Sequence, residues 1–169
     1  MNARRGFLTR LLGLCSLGLM PGAIRAAAVE APADPDRIEP VRLSPDEWRE
    51  KLTDKQYKIL REEGTEYAGS SPLNAEKREG TYHCAGCGLL LFHSKWKFES
   101  GTGWPSFYDV VADHIGTRVD KKLWMERTEY HCARCGGHQG HVFEDGPEPT
   151  GLRYCNNGVA LEFRPASEA

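Results

Sequence analysis

One cysteine of this chain lies among residues that can do thiol chemistry. Cys155 stands in the run GGHQGHVFEDGPEPTGLRYCNNGVALEF, which extends from Gly136 to Phe163. A thiol attacks as its thiolate, so it needs neighbours that lower its pKa or that hold a substrate against it. The same run supplies imidazole, carboxylate, guanidinium and amide side chains: His138, His141, Asp145, Arg153 and Asn157. This combination predicts a thiol-dependent enzyme.

Four other cysteines form two closely spaced pairs, Cys84 with Cys87 in HCAGCG and Cys132 with Cys135 in HCARCG. A glycine after each pair lets the chain turn tightly, so that both sulfurs of a pair can face one point. Two such pairs supply the four thiolates of a tetrahedral structural zinc site, which is closed to substrates and contributes to folding. We therefore expect one Zn²⁺ per chain, held by these four cysteines.

Two disulfides, or redox pairs of the thioredoxin type, are the alternatives for these cysteines. A thioredoxin-type pair opens a helix inside a βαβ pattern, and neither pair here does so. His83 and His131, which precede the two pairs, could each replace a thiolate as a metal ligand. A polar residue on a strand beside the pair is the simpler interpretation of both histidines.

The N-terminal residues have the pattern of an export signal. The run Arg4-Arg5 precedes an apolar stretch from Leu11 to Met20, and small residues follow at 26–28. This pattern predicts a bacterial twin-arginine signal over residues 1–28 and a linker over 29–43. The mature protein would then be periplasmic or exported, without stable membrane contact after cleavage. An uncleaved membrane anchor is the alternative, although the apolar stretch is short for a membrane span.

The charge distribution argues against nucleic acid as a partner. The four arginines of the predicted signal are matched by no acidic residue, so removing them turns the formal net charge of −2 into −6. An acidic domain repels the phosphate backbone that supplies most of the affinity of nucleic-acid binders. We therefore expect no nucleic-acid partner, although paired cysteine knuckles alone would suggest one.

Two capping motifs predict two short helices at the start of the folded domain. Ser44 is followed three residues later by Glu47, and Thr53 by Gln56, which is the spacing of reciprocal helix caps. Gly64 marks the predicted end of the second helix. These helices are expected to pack against the rest of the fold.

Most of the remaining sequence has the pattern of short strands. Trp96 and Phe98 alternate with charged residues, and Val159, Leu161 and Phe163 alternate in the same way. Glycine and proline are frequent between these runs, as in a small antiparallel β-fold. The sequence therefore predicts a mainly β domain, clamped by zinc, with short N-terminal helices laid against it.

Taken together, these motifs resemble the B-type peptide-methionine sulfoxide reductases. The resemblance rests on the run around Cys155, on GTGWPSF from Gly101 to Phe107, and on the two cysteine pairs. It implies a domain over residues 44–165, built of two antiparallel sheets with the zinc away from the reactive thiol, and a tail over 166–169. It also implies reduction of the R epimer of methionine sulfoxide in proteins, since two enzyme classes divide the two epimers between them.

By this resemblance, Cys155 is the nucleophile that attacks the sulfoxide sulfur and is left as a sulfenic acid. His141 corresponds to the residue that donates toward the sulfoxide oxygen, and a histidine suits proton transfer near neutral pH. His138 and Asn157 correspond to its companions, which orient water or the polar oxygen.

The resemblance also implies a substrate pocket. Trp104 corresponds to its aromatic wall, against which the methyl group of the sulfoxide packs favourably. Asp145 would orient a histidine, and Arg153 would bias the thiol toward its anion. Phe143 is expected to line the pocket or the core, as is Phe107. Without its flanking motif, Trp104 would be interpreted as a core residue.

Two positions depart from the family pattern. Many members carry a resolving cysteine two residues before the tryptophan, where this chain has Thr102. We therefore expect an external thiol, from a thioredoxin-fold protein or a small molecule, to reduce the sulfenic acid directly. Gly158 is the second departure, because many relatives have serine after the asparagine.

Two other functions are compatible with parts of the sequence. His138 and His141, three residues apart, could bind a metal together with Asp145 and form a hydrolytic site, although no carboxylate base is evident. A non-catalytic binding module on the same fold would use Trp104 and the cysteine pairs, but it would have no need of Cys155 or the histidines.

Overall fold

Two short helices begin the folded part of the protein. The computed structural model describes residues 38–121 and 126–168, all of them within the unit Pro35–Ala169. Helix α1 spans Pro45–Lys51 and helix α2 spans Asp54–Leu60. The predicted export signal and most of the predicted linker lie outside the described residues. No helix among those described is both long and apolar enough to cross a membrane.

Both helices begin with the reciprocal caps that the sequence predicts. The Ser44 hydroxyl accepts from the backbone N–H of Glu47, and the Glu47 carboxylate accepts from the N–H of Ser44. Thr53 and Gln56 repeat this arrangement in α2. The predicted end of α2 is wrong, because the helix stops at Leu60. Helix caps of this kind stabilise by about 1 kcal/mol each.

Nine strands in the described residues form two antiparallel sheets, which confirms the predicted fold class. The three-stranded sheet has the order β2-β1-β9, and the six-stranded sheet has the order β3-β4-β8-β7-β6-β5. The strands are β1 Gly80–Cys84, β2 Leu90–His93, β3 Lys97–Phe98, β4 Ser106–Phe107, β5 Ile115–Asp120, β6 Arg127–Cys132, β7 His138–Phe143, β8 Arg153–Asn156 and β9 Leu161–Pro165. A short 3₁₀ turn, Ala166–Glu168, follows β9.

The two segments in which apolar residues alternate with other residues, near Trp96 and near Leu161, are strands only in part. Trp96 belongs to a 3₁₀ turn, Ser94–Trp96, which closes when the Lys97 N–H donates to the carbonyl of Ser94. Val159 likewise lies in a 3₁₀ turn, Gly158–Ala160, and β9 begins only at Leu161. A local backbone hydrogen bond therefore overrides side-chain alternation at the start of each run.

Buried aromatic rings fill the space between the two sheets. Phe92 of β2 stacks on Phe107 of β4, with ring centroids 4.2 Å apart, and Tyr82 of β1 meets Phe107 edge-on at 4.9 Å. All three side chains are fully buried, as is Tyr130 of β6. Such rings dominate the burial energy of a small core. Phe107 is therefore a core residue, and the core fixes the six-stranded sheet that carries Cys155.

Candidate active site and metal centre

The four paired cysteines come from the ends of two hairpins. Cys84 ends β1 and Cys132 ends β6, while Cys87 and Cys135 lie in the turns that follow. All four sulfurs are within 4.8 Å of one another. The Sγ–Sγ distances are 3.6 Å between Cys84 and Cys135 and 3.5 Å between Cys87 and Cys132. Gly88 and Gly136 follow the pairs with φ angles of +73° and +67°, which glycine adopts without strain.

This geometry fits a structural zinc ion. Tetrahedral zinc with Zn–S bonds of about 2.3 Å separates its sulfurs by about 3.8 Å. The sulfurs are too far apart for disulfides, which need about 2.05 Å. The side-chain N–H of Gln139 donates to Cys84 Sγ at 3.3 Å, the kind of outer hydrogen bond that steadies a metal-bound thiolate. The prediction that these cysteines form one cluster is confirmed.

The two histidines beside the cysteine pairs are not ligands of the cluster. His83 bonds through Nδ1 to the carbonyl of Gly88 at 3.0 Å and through Nε2 to Thr81. His131 bonds through Nδ1 to Glu129 at 3.2 Å. Both therefore act as polar residues on the strands, as the simpler interpretation of the sequence expects.

Cys155 lies in the middle of the six-stranded sheet. On β8 it stands directly opposite His141 of β7 on one side and Ser106 of β4 on the other. Its half-buried thiol opens into a cavity of about 140 Å³. That cavity is lined by Thr65, Trp104, Arg127, Gly140, His141, Phe143, Cys155, Asn156 and Asn157. Directly opposite residues share a face of the sheet, so His141 and Cys155 project to the same side.

Trp104 and Phe143 form apolar walls of this cavity. The indole N–H of Trp104 donates to the backbone carbonyl of Glu66 at 3.1 Å, which fixes the ring. The Arg153 guanidinium lies over the Phe143 ring, 4.3 Å from its centroid. The structure thus places both aromatic residues where the family resemblance implies a substrate pocket.

Two acidic residues hold the histidines, and neither is Asp145. His141 Nε2 is 2.8 Å from an oxygen of Asp120, and His138 Nδ1 is 2.7 Å from an oxygen of Glu129. Asp145 instead binds Arg153 with both carboxylate oxygens, each at 2.8 Å. The expectation that Asp145 orients a histidine is therefore wrong.

The two histidines face different spaces. His141 lines the Cys155 cavity and also a neighbouring cavity of about 570 Å³. His138 is 2 % exposed and lines the neighbouring cavity, with its ring 5.6 Å from that of His141. The structure therefore places His141 against Cys155 and His138 behind it. Among the described residues, neither Asp145 nor the two histidines belong to a group of three or more side chains that could hold a metal ion.

Burial favours a neutral His141, and hydrogen bonds favour an ionised Glu129 behind it. Burial lowers the pKa of His141, although the hydrogen bond that His141 donates to Asp120 acts in the other direction. Burial also opposes ionisation of Glu129, but hydrogen bonds from His131 and His138 lower its pKa to about 2. At neutral pH, His141 is uncharged and can accept a proton.

Burial raises the pKa of the Cys155 thiol. The charge of Arg153 and hydrogen bonds from Thr102 and Arg153 lower it, but they only partly offset burial. Arg153 acts in the direction that the sequence predicts, but its charge is shared with Asp145. The thiol is therefore mainly protonated at neutral pH, and a base such as His141 has to take its proton.

Both polar atoms of the Asn157 amide bind the protein itself. The side-chain N–H donates to the carbonyl of Gln139 at 3.0 Å, and the amide oxygen accepts from the Glu66 N–H at 3.0 Å. Asn157 is 4 % exposed. In this arrangement it ties β7 to the loop that supports Trp104, so it positions the wall of the pocket.

The space beside Gly158 is already occupied. A Cβ placed on Gly158 would lie 1.9 Å from the hydroxyl of Ser71. Glu66 also accepts from the N–H groups of Gly158 and Val159. Any side chain at position 158 would therefore collide with Ser71.

Several residues of this site carry no clear signal in the sequence. Arg127 and Thr65 line the Cys155 cavity, and Arg127 binds Asp120 at 2.7 Å. Asp120 and Arg127 are opposite each other at the ends of β5 and β6. Their only sequence signal is a pair of opposite charges at the ends of two strand-like runs, and nothing local connects them to His141.

This fold and this site define a class of protein: a two-sheet domain with a four-cysteine metal centre and a separate, single thiol in an aromatic pocket. Residues 52–165 match the SelR domain. That match covers more than half of the chain, and relatives above 50% identity cover most of it. The protein therefore belongs to the SelR family, also called the MsrB family.

Several curated relatives carry the name peptide methionine sulfoxide reductase MsrB. The protein of Methanosarcina barkeri is 53% identical over 129 residues, which are 76% of this chain and 91% of the relative. That of Leptospira interrogans is 52% identical over 125 residues, or 73% of this chain and 95% of the relative. A relative from Pseudomonas putida is 51% identical over 121 residues, which cover 71% and 92%.

Proposed function

We propose that this protein reduces the R epimer of methionine sulfoxide in proteins to methionine, through a sulfenic acid on Cys155. The observation that carries the proposal is the placement of one thiol, Cys155, in a pocket with Trp104, Phe143 and His141. The other four described cysteines cluster elsewhere. Membership of the family, and the names of its relatives, support methionine sulfoxide as the substrate and its R epimer as the form reduced.

The pocket suits the end of an oxidised methionine side chain. Trp104 and Phe143 offer aromatic surface to the methyl group, and methyl and sulfur groups pack favourably against such rings. A cavity of about 140 Å³ has room for the methyl sulfoxide group. The polar groups of His141 and Arg127 line the same cavity and can bind the sulfoxide oxygen.

The first chemical step is an oxygen transfer. The Cys155 sulfur attacks the sulfoxide sulfur, the S–O bond to methionine breaks, and the oxygen ends on Cys155 as a sulfenic acid. The cysteine sulfur is oxidised by two electrons and the methionine sulfur is reduced by two. The thiol proton ends on the transferred oxygen, so no net proton is consumed.

His141 is the group that moves this proton. When its Nε2–H donates to Asp120, its Nδ1 is left as an acceptor on the neutral ring. His141 lies opposite Cys155 and is uncharged at neutral pH, so it can take the thiol proton and return it to the oxygen. Asp120 then stabilises the charged ring between the two transfers.

Regeneration of Cys155 requires two thiol groups from outside the chain. The first displaces water from the sulfenic acid and forms a mixed disulfide, and the second releases Cys155. Thr102 offers no sulfur beside Cys155. The cysteine cluster is an unsuitable donor, since attack by one of its thiols would dismantle the metal centre. A thioredoxin-fold protein or a small thiol fits this need.

Zinc is the metal that we propose for the four cysteines, with one ion per chain. When bound, it holds the β1–β2 and β6–β7 hairpins together and supplies no group to the reaction. Four protein sulfurs complete the coordination, so no position is open to substrate.

We further propose that the mature protein is exported to the periplasm after removal of residues 1–28. The twin-arginine pattern supports this, and such export of folded protein would let zinc bind before the chain meets an oxidising compartment. We expect no stable membrane contact after cleavage and no binding of nucleic acid. Cell fractionation that finds the unprocessed chain in the cytoplasm would contradict the export proposal.

The decisive experiment is turnover of the separated R and S epimers of a blocked methionine sulfoxide, with dithiothreitol as reductant. We expect reduction of the R epimer alone and a loss of at least about a thousandfold in Cys155→Ser, because the nucleophile is gone. Absence of turnover by zinc-loaded, folded protein would favour a non-catalytic binding module. Equal reduction of both epimers would contradict the proposed selectivity.

A further inference from the structure

Every hydrogen-bonding group of Glu66 is used beside the proposed sulfoxide pocket. Its backbone carbonyl accepts from the indole N–H of Trp104 at 3.1 Å, and its backbone N–H donates to the side-chain oxygen of Asn157 at 3.0 Å. Its carboxylate accepts from the backbone N–H groups of Gly158 at 2.5 Å and of Val159 at 3.2 Å. Glu66 therefore joins one apolar wall of the pocket to the residues that follow β8.

The carboxylate of Glu66 fixes this residue relative to Cys155. Its two N–H partners follow Cys155 by three and four positions, and they belong to the 3₁₀ turn Gly158–Ala160. Hydrogen bonds from backbone N–H groups to a carboxylate are charge-assisted, and they are about twice as strong as bonds between neutral groups. Loss of the carboxylate would therefore release Glu66 from the turn, although its backbone groups remain.

The loop that carries Trp104 is tied to the segment around Glu66 at a second point. The carbonyl of Gly103 accepts from the backbone N–H of Gly69 at 2.8 Å and from the side-chain N–H of Asn74 at 2.9 Å. A Cβ on Gly103 would lie 3.0 Å from the Gly69 nitrogen, so the two loops are in close contact. Trp104 should therefore keep its place only while the segment that contains Glu66 keeps its own.

The sulfoxide pocket is small enough for a fixed wall to matter. It has a volume of about 140 Å³, and its lining includes Trp104, Cys155 and Thr65, which precedes Glu66 in the sequence. A group that overfills a packed site is accepted only if the surroundings shift, which costs free energy. A wall that Glu66 holds in place should therefore exclude groups larger than methyl.

We propose that Glu66 is a positioning residue that fixes Trp104 relative to Cys155, and that it thereby makes the pocket select a methyl sulfoxide over larger alkyl sulfoxides. The carboxylate holds the turn after the nucleophile, and the backbone carbonyl of the same residue holds the indole. The assignment rests on the proposed function, and it adds a residue that determines which sulfoxides are reduced.

The test compares the blocked R sulfoxides of methionine and of its S-ethyl homologue, with the zinc-loaded full chain and dithiothreitol. One extra methylene group in an apolar pocket changes kcat/KM by about 10- to 200-fold, so the parent should prefer the methyl substrate by at least about tenfold. In Glu66→Ala this preference should fall below about threefold. The change should come from a higher KM for the methyl substrate and a higher kcat/KM for the ethyl substrate.

Two matched variants separate the loss of this anchor from a general loss of stability. Glu66→Gln keeps the size of the side chain but leaves one acceptor oxygen for two N–H groups, so its preference should lie between those of the parent and Glu66→Ala. Glu62→Gln changes an exposed carboxylate of the same segment and should keep the preference of the parent. A Glu66→Ala protein with the full preference for methyl, or an equal loss in Glu62→Gln, would overturn the proposal.

A second measurement tests the wall without any turnover. The chain has four tryptophans, and the indole N–H signal of Trp104 in an NMR spectrum is the one that disappears in Trp104→Phe. We expect hydrogen exchange at this indole to be at least about tenfold faster in Glu66→Ala and unchanged in Glu62→Gln, because a loosened carbonyl protects it less.

The same measurement distinguishes this inference from the proposed function. Equal exchange at the Trp104 indole in the parent and in Glu66→Ala would show that Glu66 does not fix the wall. Faster exchange in a protein that reduces neither sulfoxide would support the positioning role of Glu66 and show that only the proposed reaction is wrong.

Discussion

The cysteine cluster and the Cys155 pocket place the same side chain in two different surroundings. In the cluster, four sulfurs face one another and Gln139 donates to one of them, so all four are taken up by a metal centre. Cys155 has no sulfur partner among the described residues, and its thiol opens into a cavity lined by aromatic and polar side chains. Both sites are substantially buried, so burial does not decide whether a cysteine is structural or reactive. The neighbours of the sulfur decide it: other sulfurs bind a metal together with it, whereas an open cavity leaves it free to react.

The largest expected effect is on the stability of the folded domain, which should depend on the cysteine cluster but not on Cys155. Replacement of Cys132 by serine, or removal of the metal with a strong chelator, should unfold the domain, because structural zinc of this type contributes about 10 kcal/mol. Cys155→Ser should leave the thermal unfolding temperature nearly unchanged. Thermal unfolding followed by circular dichroism measures both, and an unchanged transition after chelation would contradict a structural role for the cluster.

A smaller effect concerns the acid that supports His141. The hydrogen bond that His141 donates to Asp120 raises the pKa of His141, so Asp120→Asn should lower that pKa further. If neutral His141 is the base, activity falls as the pH drops through its pKa. The acid limb of kcat/KM should then move to lower pH in the variant, with about a tenfold loss of maximal rate because the protonated ring loses its partner.

Asp145→Asn is the matched control for this measurement. Asp145 binds Arg153 and has no contact with His141 among the described hydrogen bonds. Its replacement should leave the acid limb in place while changing the surroundings of Phe143. A shift of the acid limb in Asp145→Asn but not in Asp120→Asn would reverse the assignment of the two carboxylates.

The smallest expected effect on turnover comes from a variant that gives Cys155 a sulfur partner, as the cysteines of the cluster have. Thr102 acts on the pKa of the Cys155 thiol, so Thr102→Cys places a second thiol near the sulfenic acid. We expect an internal disulfide after one turnover without reductant, detected by mass spectrometry of the non-reduced protein. Turnover with dithiothreitol should change by less than about tenfold. A persistent sulfenic acid in this variant would show that the two sulfurs cannot meet.

Local signals gave the parts of the fold that the sequence predicts correctly. The helix caps depend on residues three apart, such as Ser44 with Glu47, and the cysteine pairs depend on a single turn each. The residues that mark each of these features lie within one turn of the chain, so a single sequence is enough to recognise them. The ends of the strands are less local, as the 3₁₀ turn at Trp96 shows, because a backbone hydrogen bond there overrides the alternation of side chains.

The support of the active site could not be predicted in the same way. His141 meets Asp120 only because β5, β6 and β7 lie side by side, and that order is a property of the whole sheet. Glu66 reaches Gly158 across 92 positions of the chain. Within one sequence, such pairs have no spacing that marks them, and closeness in sequence to His141 points to Asp145 instead of Asp120.

Because Ser71 packs against Gly158, substitutions at these two positions depend on each other. A serine at 158 has no room while Ser71 is present, and loss of the Ser71 side chain alone leaves a hole beside the Glu66 carboxylate. Each single change therefore costs stability. A side chain at position 158 becomes possible most readily when position 71 changes first, because a small cavity is tolerated better than a steric overlap with the Ser71 side chain.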